Sequence, residues 1–127
     1  MASELRVNTL KDASGNNSVA TSFVAGGSAK CYALSAVGAA ATTSLNLTSI
    51  TDNGTGVYTV NFATAFPDTD YACVGAASPA SESHGSHSNV NIISPDGLAK
   101  TTSSQGINCR YVHGYTDPVV ASVAIFR

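Results

Sequence analysis

Asp52-Asn53-Gly54-Thr55-Gly56-Val57-Tyr58-Thr59-Val60-Asn61-Phe62 is the stretch on which the fold turns. In its second half Tyr58, Val60 and Phe62 alternate with Thr59 and Asn61, the period-two pattern of a strand with one face in a core and one in water. In its first half Asn53-Gly54 supplies the positive φ angles that a tight hairpin requires. The partner strand is expected in Ser44-Leu45-Asn46-Leu47-Thr48-Ser49-Ile50, where leucines again sit among polar neighbours.

Outward from this hairpin the same alternation recurs between Gly, Asn, Asp and Pro clusters. It predicts strands at residues 30–36, 71–77, 90–93, 99–103, 107–113 and 119–126. The last of these is apolar on both sides, with Val119, Ala121, Val123 and Ile125 against Val120, Ser122, Ala124 and Phe126, which suits a central or subunit-covered strand. Turns at Pro67-Asp68, Pro95-Asp96-Gly97 and Thr116-Asp117-Pro118 space the strands as a sandwich or barrel does. No stretch holds an apolar i, i+3, i+4, i+7 pattern over three turns, and the Ala-rich run from Ala33 to Ala41 is broken by Gly38. The expected class is all-β: a small antiparallel β-sandwich, jelly-roll-like, over residues 26–127, preceded by an extended arm or small hairpin over residues 1–25.

The arm stands apart in composition. Glu4, Arg6, Lys11 and Asp12 concentrate charge there, whereas Asp52 is the sole charged residue between Cys31 and Phe66. Leu5, Val7 and Thr9 alternate, Ser14-Gly15-Asn16-Asn17 turns the chain, and an extended pattern resumes over residues 18–24.

Composition narrows the function. Ala, Ser, Thr and Gly make up 60 of 127 residues, and charged residues are 11% with a net charge of −2, so no basic stripe is present to meet a nucleic acid. No apolar run approaches the roughly 18 residues that cross a bilayer, and the N-terminus has no signal-peptide h-region. Cys31, Cys73 and Cys109 are odd in number and far apart, which reads as reduced thiols rather than a disulfide framework or a zinc site. With so few bulky side chains and no Trp, burial at ~25 cal/mol per Å² must offset a backbone entropy of ~1–2 kcal/mol per residue. That thin margin predicts an oligomer, with apolar faces shared between copies.

Catalytic patterns are weak. No G-x-S-x-G elbow occurs, Glu4 and Glu82 are the only glutamates, and the aspartates fall mostly in turn positions. Ala25-Gly26-Gly27-Ser28 lacks the Lys of a phosphate loop. His84 and His87, beside Glu82, read as part of a polar loop rather than as metal ligands, so no metal, cofactor or enzymatic activity is expected. Neutral Ser, Thr and Asn surfaces suit sugar or subunit contacts; Tyr111 and Tyr115 read first as packing residues, with stacking on a saccharide ring the alternative.

Ser3-Glu4-Leu5-Arg6-Val7-Asn8-Thr9-Leu10-Lys11-Asp12-Ala13-Ser14-Gly15-Asn16 resembles the opening of tail fibre and related virion proteins of tailed bacteriophages, of the marine and cyanobacterial type. The block from Ile50 to Phe62, its continuation Phe66-Pro67-Asp68-Thr69-Asp70-Tyr71, and the close Val123-Ala124-Ile125-Phe126 are similar to segments of their small β domains. The resemblance implies a homotrimeric, non-enzymatic virion component, assembled in the bacterial host cytoplasm. An N-terminal arm would attach to other virion proteins of tail or head, and distal loops would face the host surface and its saccharides. Here the arm and the β domain are almost contiguous, with no shaft between them. A short tail fibre or tail-associated protein is the leading expectation, and a capsid decoration (cement) protein the alternative. Leu5, Arg6, Val7 and Leu10 are the candidates for particle attachment. Ser83, His84, His87, Tyr115 and Asp117 are the candidates for receptor contact.

Overall fold

A computed structural model describes residues 3, 6–15, 17–36, 41–79, 91–93, 98–111 and 114–127. Its elements are β1 (Thr9–Lys11), β2 (Ser18–Ala20), α1 (Thr21–Gly27), β3 (Ala29–Ala36), β4 (Ala41–Leu45), β5 (Leu47–Asp52), β6 (Val57–Phe62), β7 (Ala72–Pro79), β8 (Asn91–Ile93), β9 (Ser104–Tyr111), β10 (Gly114–Tyr115) and β11 (Pro118–Phe126).

The architecture is an all-β antiparallel sandwich. One sheet runs β4-β3-β11-β7. The other runs β5-β6-β9, with β10 beside the far end of β9 and β8 on its free edge. Alternation decides the facing: Tyr58, Val60 and Phe62 are buried, and so are Cys31, Ala33, Val123, Ile125, Ile107 and Cys109 from the other strands. β11 lies between β3 and β7; its Val123 and Ile125 turn into the core, while Val119 and Val120 are exposed. One end of the core is closed by aromatics: Phe62 and Phe66 meet edge to face at 4.7 Å, and Phe62 and Tyr71 at 5.8 Å. The Tyr71 hydroxyl is satisfied there by the carbonyls of Thr101 and Ser104.

Three local expectations are corrected. The segment expected as one strand from Ser44 to Ile50 is two strands in different sheets. At Asn46 the backbone takes a left-handed φ of 53°, which an asparagine tolerates. Asn46 Oδ1 accepts from Thr64 N at 2.7 Å and its Nδ2 donates to the Thr64 carbonyl, holding the corner at which the chain changes sheet. Leu45 therefore points outward from one sheet while Leu47 packs on the core from the other.

Residues 99–103 form no strand. Thr101 Oγ1 instead accepts from the Ser103 and Ser104 amides, a side-chain turn that competes with a ladder. Residues 21–24, the second half of the segment 18–24 expected as extended, belong instead to the short helix α1, none of whose side chains is buried. The Thr21 hydroxyl anchors its start to the Val7 and Asn8 carbonyls, and the Ser28 amide and hydroxyl close its end on the Val24 carbonyl. Ahead of it, β1 and β2 form a hairpin that pairs with neither sheet. Among the described residues no helix is long and apolar enough to cross a membrane.

Candidate functional site

Strand direction gives the sandwich two distinct ends. The chain enters β3 from the arm at Ala29, beside Phe126 in register, and this end also carries the Asn46 corner and the aromatic plug. Arg127 closes it with a bidentate pair to Asp68, at 2.7 Å and 2.5 Å. Arg127 holds the Asp68 carboxyl below the usual carboxylate range. The opposite end carries the Asp52–Val57 turn, the β9–β10 pair and the start of β11. The end of β7 and the start of β8 also lie there, Pro79 pairing with Pro118 and Asn91 with Arg110.

At this second end one hydrogen-bonded knot fixes the geometry. Gly56 has a φ of 66°, and its amide donates to Asp117 Oδ1 at 2.6 Å. Asp117 Oδ1 also accepts from the Tyr58 hydroxyl at 2.9 Å. The Cys109 amide donates to the Gly56 carbonyl at 2.7 Å, and the Thr116 amide to the Cys109 carbonyl at 3.1 Å. Burial, and then the Asp117 carboxylate, push the Tyr58 hydroxyl well above the usual tyrosine range, so it stays a donor. A Cβ on residue 56 would lie 2.6 Å from the Cys109 carbonyl oxygen and 2.7 Å from the Thr116 amide nitrogen and carbonyl oxygen, all backbone atoms. The turn thus sets where the Thr116-Asp117-Pro118 corner sits, and with it the neighbouring strand β10.

On that support Tyr115 stands exposed, with the Arg110 guanidinium 4.9 Å from its ring centroid. Register places the two residues directly across from one another. An exposed phenol ring beside a cation can stack on a ring and hydrogen-bond. Among the described residues no group of three His, Cys, Asp or Glu side chains gathers to hold a metal. Burial pushes the Cys31 and Cys73 thiols up to about 11, and raises that of Cys109, so all three stay protonated at neutral pH.

Of the receptor-contact candidates, Tyr115 and Asp117 come together at this end, Tyr115 as an open ring and Asp117 with one oxygen engaged in the knot. Ser83, His84 and His87 lie outside the described residues. Of the attachment candidates, Arg6, Val7 and Leu10 are exposed, Leu10 within β1, and Leu5 lies outside the described residues. Sequence reasoning did not single out Gly56 or Arg110. Gly56 carries a readable signal, a second glycine two positions after Asn53-Gly54 where one suffices for a hairpin, whereas Arg110 becomes visible only through the β9–β10 register. Comparison with family models, with curated proteins and with solved structures finds no match.

Proposed function

We propose that this chain is a non-enzymatic structural protein of a bacteriophage virion, a short tail fibre or tail-associated protein that works as a homotrimer. In this reading the arm, through Leu5, Arg6, Val7 and Leu10, docks on the particle. Main-chain pairing along the β1–β2 hairpin gives that arm a mode of attachment that needs little charge. The end with Tyr115 and Arg110 turns toward the host surface and its saccharides, with Ser83, His84 and His87 as further contacts.

The observation that carries the reading is the polarity of the sandwich. The arm joins at the Ala29 end, and the residues suited to recognition cluster at the Pro118 end. A module that links a particle to a distant surface needs its two contacts at opposite ends. The resemblance of Ser3–Asn16 and of the block from Ile50 to Phe62 to tail fibre proteins supplies the biological setting.

Deletion of residues 2–25 tests it. The shortened chain is expected to fold and associate, yet to be missing from purified particles. Incorporation at the wild-type copy number would refute the arm's role. A copy number matching the capsid lattice, measured by quantitative gel of intact virions, would move the protein from the tail to the head.

A further inference from the structure

The two outer faces of the sandwich differ in a way that composition does not require. Outside β5-β6, Asn61 Nδ2 donates to the hydroxyls of Ser49 and Thr51 at 3.0 Å, and Asn53 Nδ2 donates to Thr59 Oγ1 at 2.9 Å. That face is a hydrogen-bonded polar lattice made for water. The outer face of β4-β3-β11-β7 is its opposite. Register aligns Leu45, Tyr32, Ala124 and Val74 in one row across all four strands, and Thr43, Leu34, Ser122 and Ala76 in the next. Val74 is 53% exposed and Leu45 47%, and Lys30 is the single charged residue in the four strands.

We infer that this face is where copies of the chain associate, an inference that rests on the assembly reading above and names its surface. Four strands about 4.8 Å apart and about seven residues long make a flat area of roughly 440 Å². That matches the largest patch on a typical soluble monomer, a patch that is often functional. The polar atoms on it do not oppose burial: the Ser122 hydroxyl already donates to the Ala76 carbonyl, and the Ser78 hydroxyl already accepts from the Val120 amide.

Shape and charge favour a second copy of this chain over an unrelated partner. A groove over Gly75, Ala76, Ser122 and Ala124 is flanked on the same face by Tyr32, Leu34 and Val74, so one copy carries both the ridge and the hollow that receives it. An ordinary protein surface would bring charges that this face cannot pair, at a desolvation cost. Two such faces together cover roughly 880 Å² in plan, the size of a weak, reversible interface rather than a permanent one.

Sedimentation velocity on the intact chain, alongside Val74→Glu and Leu45→Glu, tests the inference. Both substitutions sit on edge strands and point away from the core, so strand content measured by circular dichroism should be unchanged. The wild-type chain is expected to associate, and each variant to raise the dissociation constant at least a hundredfold, a buried unpaired carboxylate being the obstacle. Phe23→Glu in α1, at a side chain 74% exposed, should leave association as it was.

Wild-type association that survives both variants would overturn this face while leaving the assembly reading intact. A wild-type chain monomeric at every concentration would overturn the inference, and particle incorporation would then judge the virion reading separately. Hydroxyl-radical footprinting of the unmodified chain needs no variant to fold. Tyr32 oxidation should fall severalfold in the associated form while Tyr115 oxidation holds, and equal oxidation of Tyr32 at all concentrations would contradict the assignment.

Discussion

Gly56→Ala probes the knot that supports the recognition end. The φ of 66° lies in the left-handed region, where an alanine costs ~1–2 kcal/mol more than glycine. The added Cβ would stand 2.6–2.7 Å from three backbone atoms of Cys109 and Thr116. Because none is the end of a flexible side chain, the turn must move away. That movement stretches the Gly56 amide's bond to Asp117 and the Cys109 amide's bond to Gly56, each with a net value of ~1 kcal/mol. The total is ~3–4 kcal/mol, or roughly 10–20 °C in melting temperature for a chain of this size.

Thermal unfolding followed by circular dichroism, at one fixed protein concentration because association shifts the midpoint, measures the loss. Gly54→Ala is the internal control. Its φ is 121° but no heavy atom lies within 4 Å of the built Cβ, so it suffers backbone strain without the overlap. Gly56→Ala should be worse than Gly54→Ala by about 2 kcal/mol, taking the overlap as two stretched hydrogen bonds. Equal losses, or a Gly56→Ala variant melting within a few degrees of wild type, would refute the knot as a structural determinant.

At the sheet-changing corner, Asn46→Gly should cost ~1–3 kcal/mol for two lost hydrogen bonds, and Asn46→Ala about 1 kcal/mol more for the left-handed φ, read from urea midpoints. Tyr58→Phe removes the hydroxyl from Asp117 and should lower stability by ~1–2 kcal/mol without changing strand content. Alkali should unfold the protein. Tyr71 is pushed up to about 12 from 10.0, and Cys31 and Cys73 up to about 11 from 9.0. The unfolded chain therefore loses these protons first, and stability complete below pH 9 should fall as pH rises from about 9 toward 12; a midpoint flat across that window would contradict the burial of these groups. The Asp68 carboxyl should titrate below its ordinary 3.8 by NMR, and Arg127→Gln should raise its pKa toward that value.

A strand half in water writes its facing directly into sequence, so Val57–Phe62 was legible from its alternation, whereas Pro118–Phe126 was legible from apolar residues on both sides. Leu45 and Leu47 were misleading for a physical reason. Spacing of two implies one face only while the strand stays in one sheet, and the single left-handed residue between them carries the chain from one sheet to the other. Helix α1 had no amphipathic signal because it buries nothing, and the bonds at its start come from residues 13 and 14 positions earlier in the chain. At the candidate site the aromatic at residue 115 and the acid at residue 117 could be named from the sequence. The division of labour between them could not, since Asp117 finds its partners 59 and 61 positions away.

Cysteine labelling of intact particles tests the polarity of the molecule most directly. Cys31 and Cys109 are fully buried and Cys73 is half-buried, so a bulky maleimide should read introduced thiols at Tyr115→Cys and Leu10→Cys above the background set by Cys73 in the wild-type chain. The account predicts that Tyr115→Cys reacts on the assembled virion and that Leu10→Cys reacts only after the protein is released. Protection of Tyr115→Cys with free access to Leu10→Cys would contradict it.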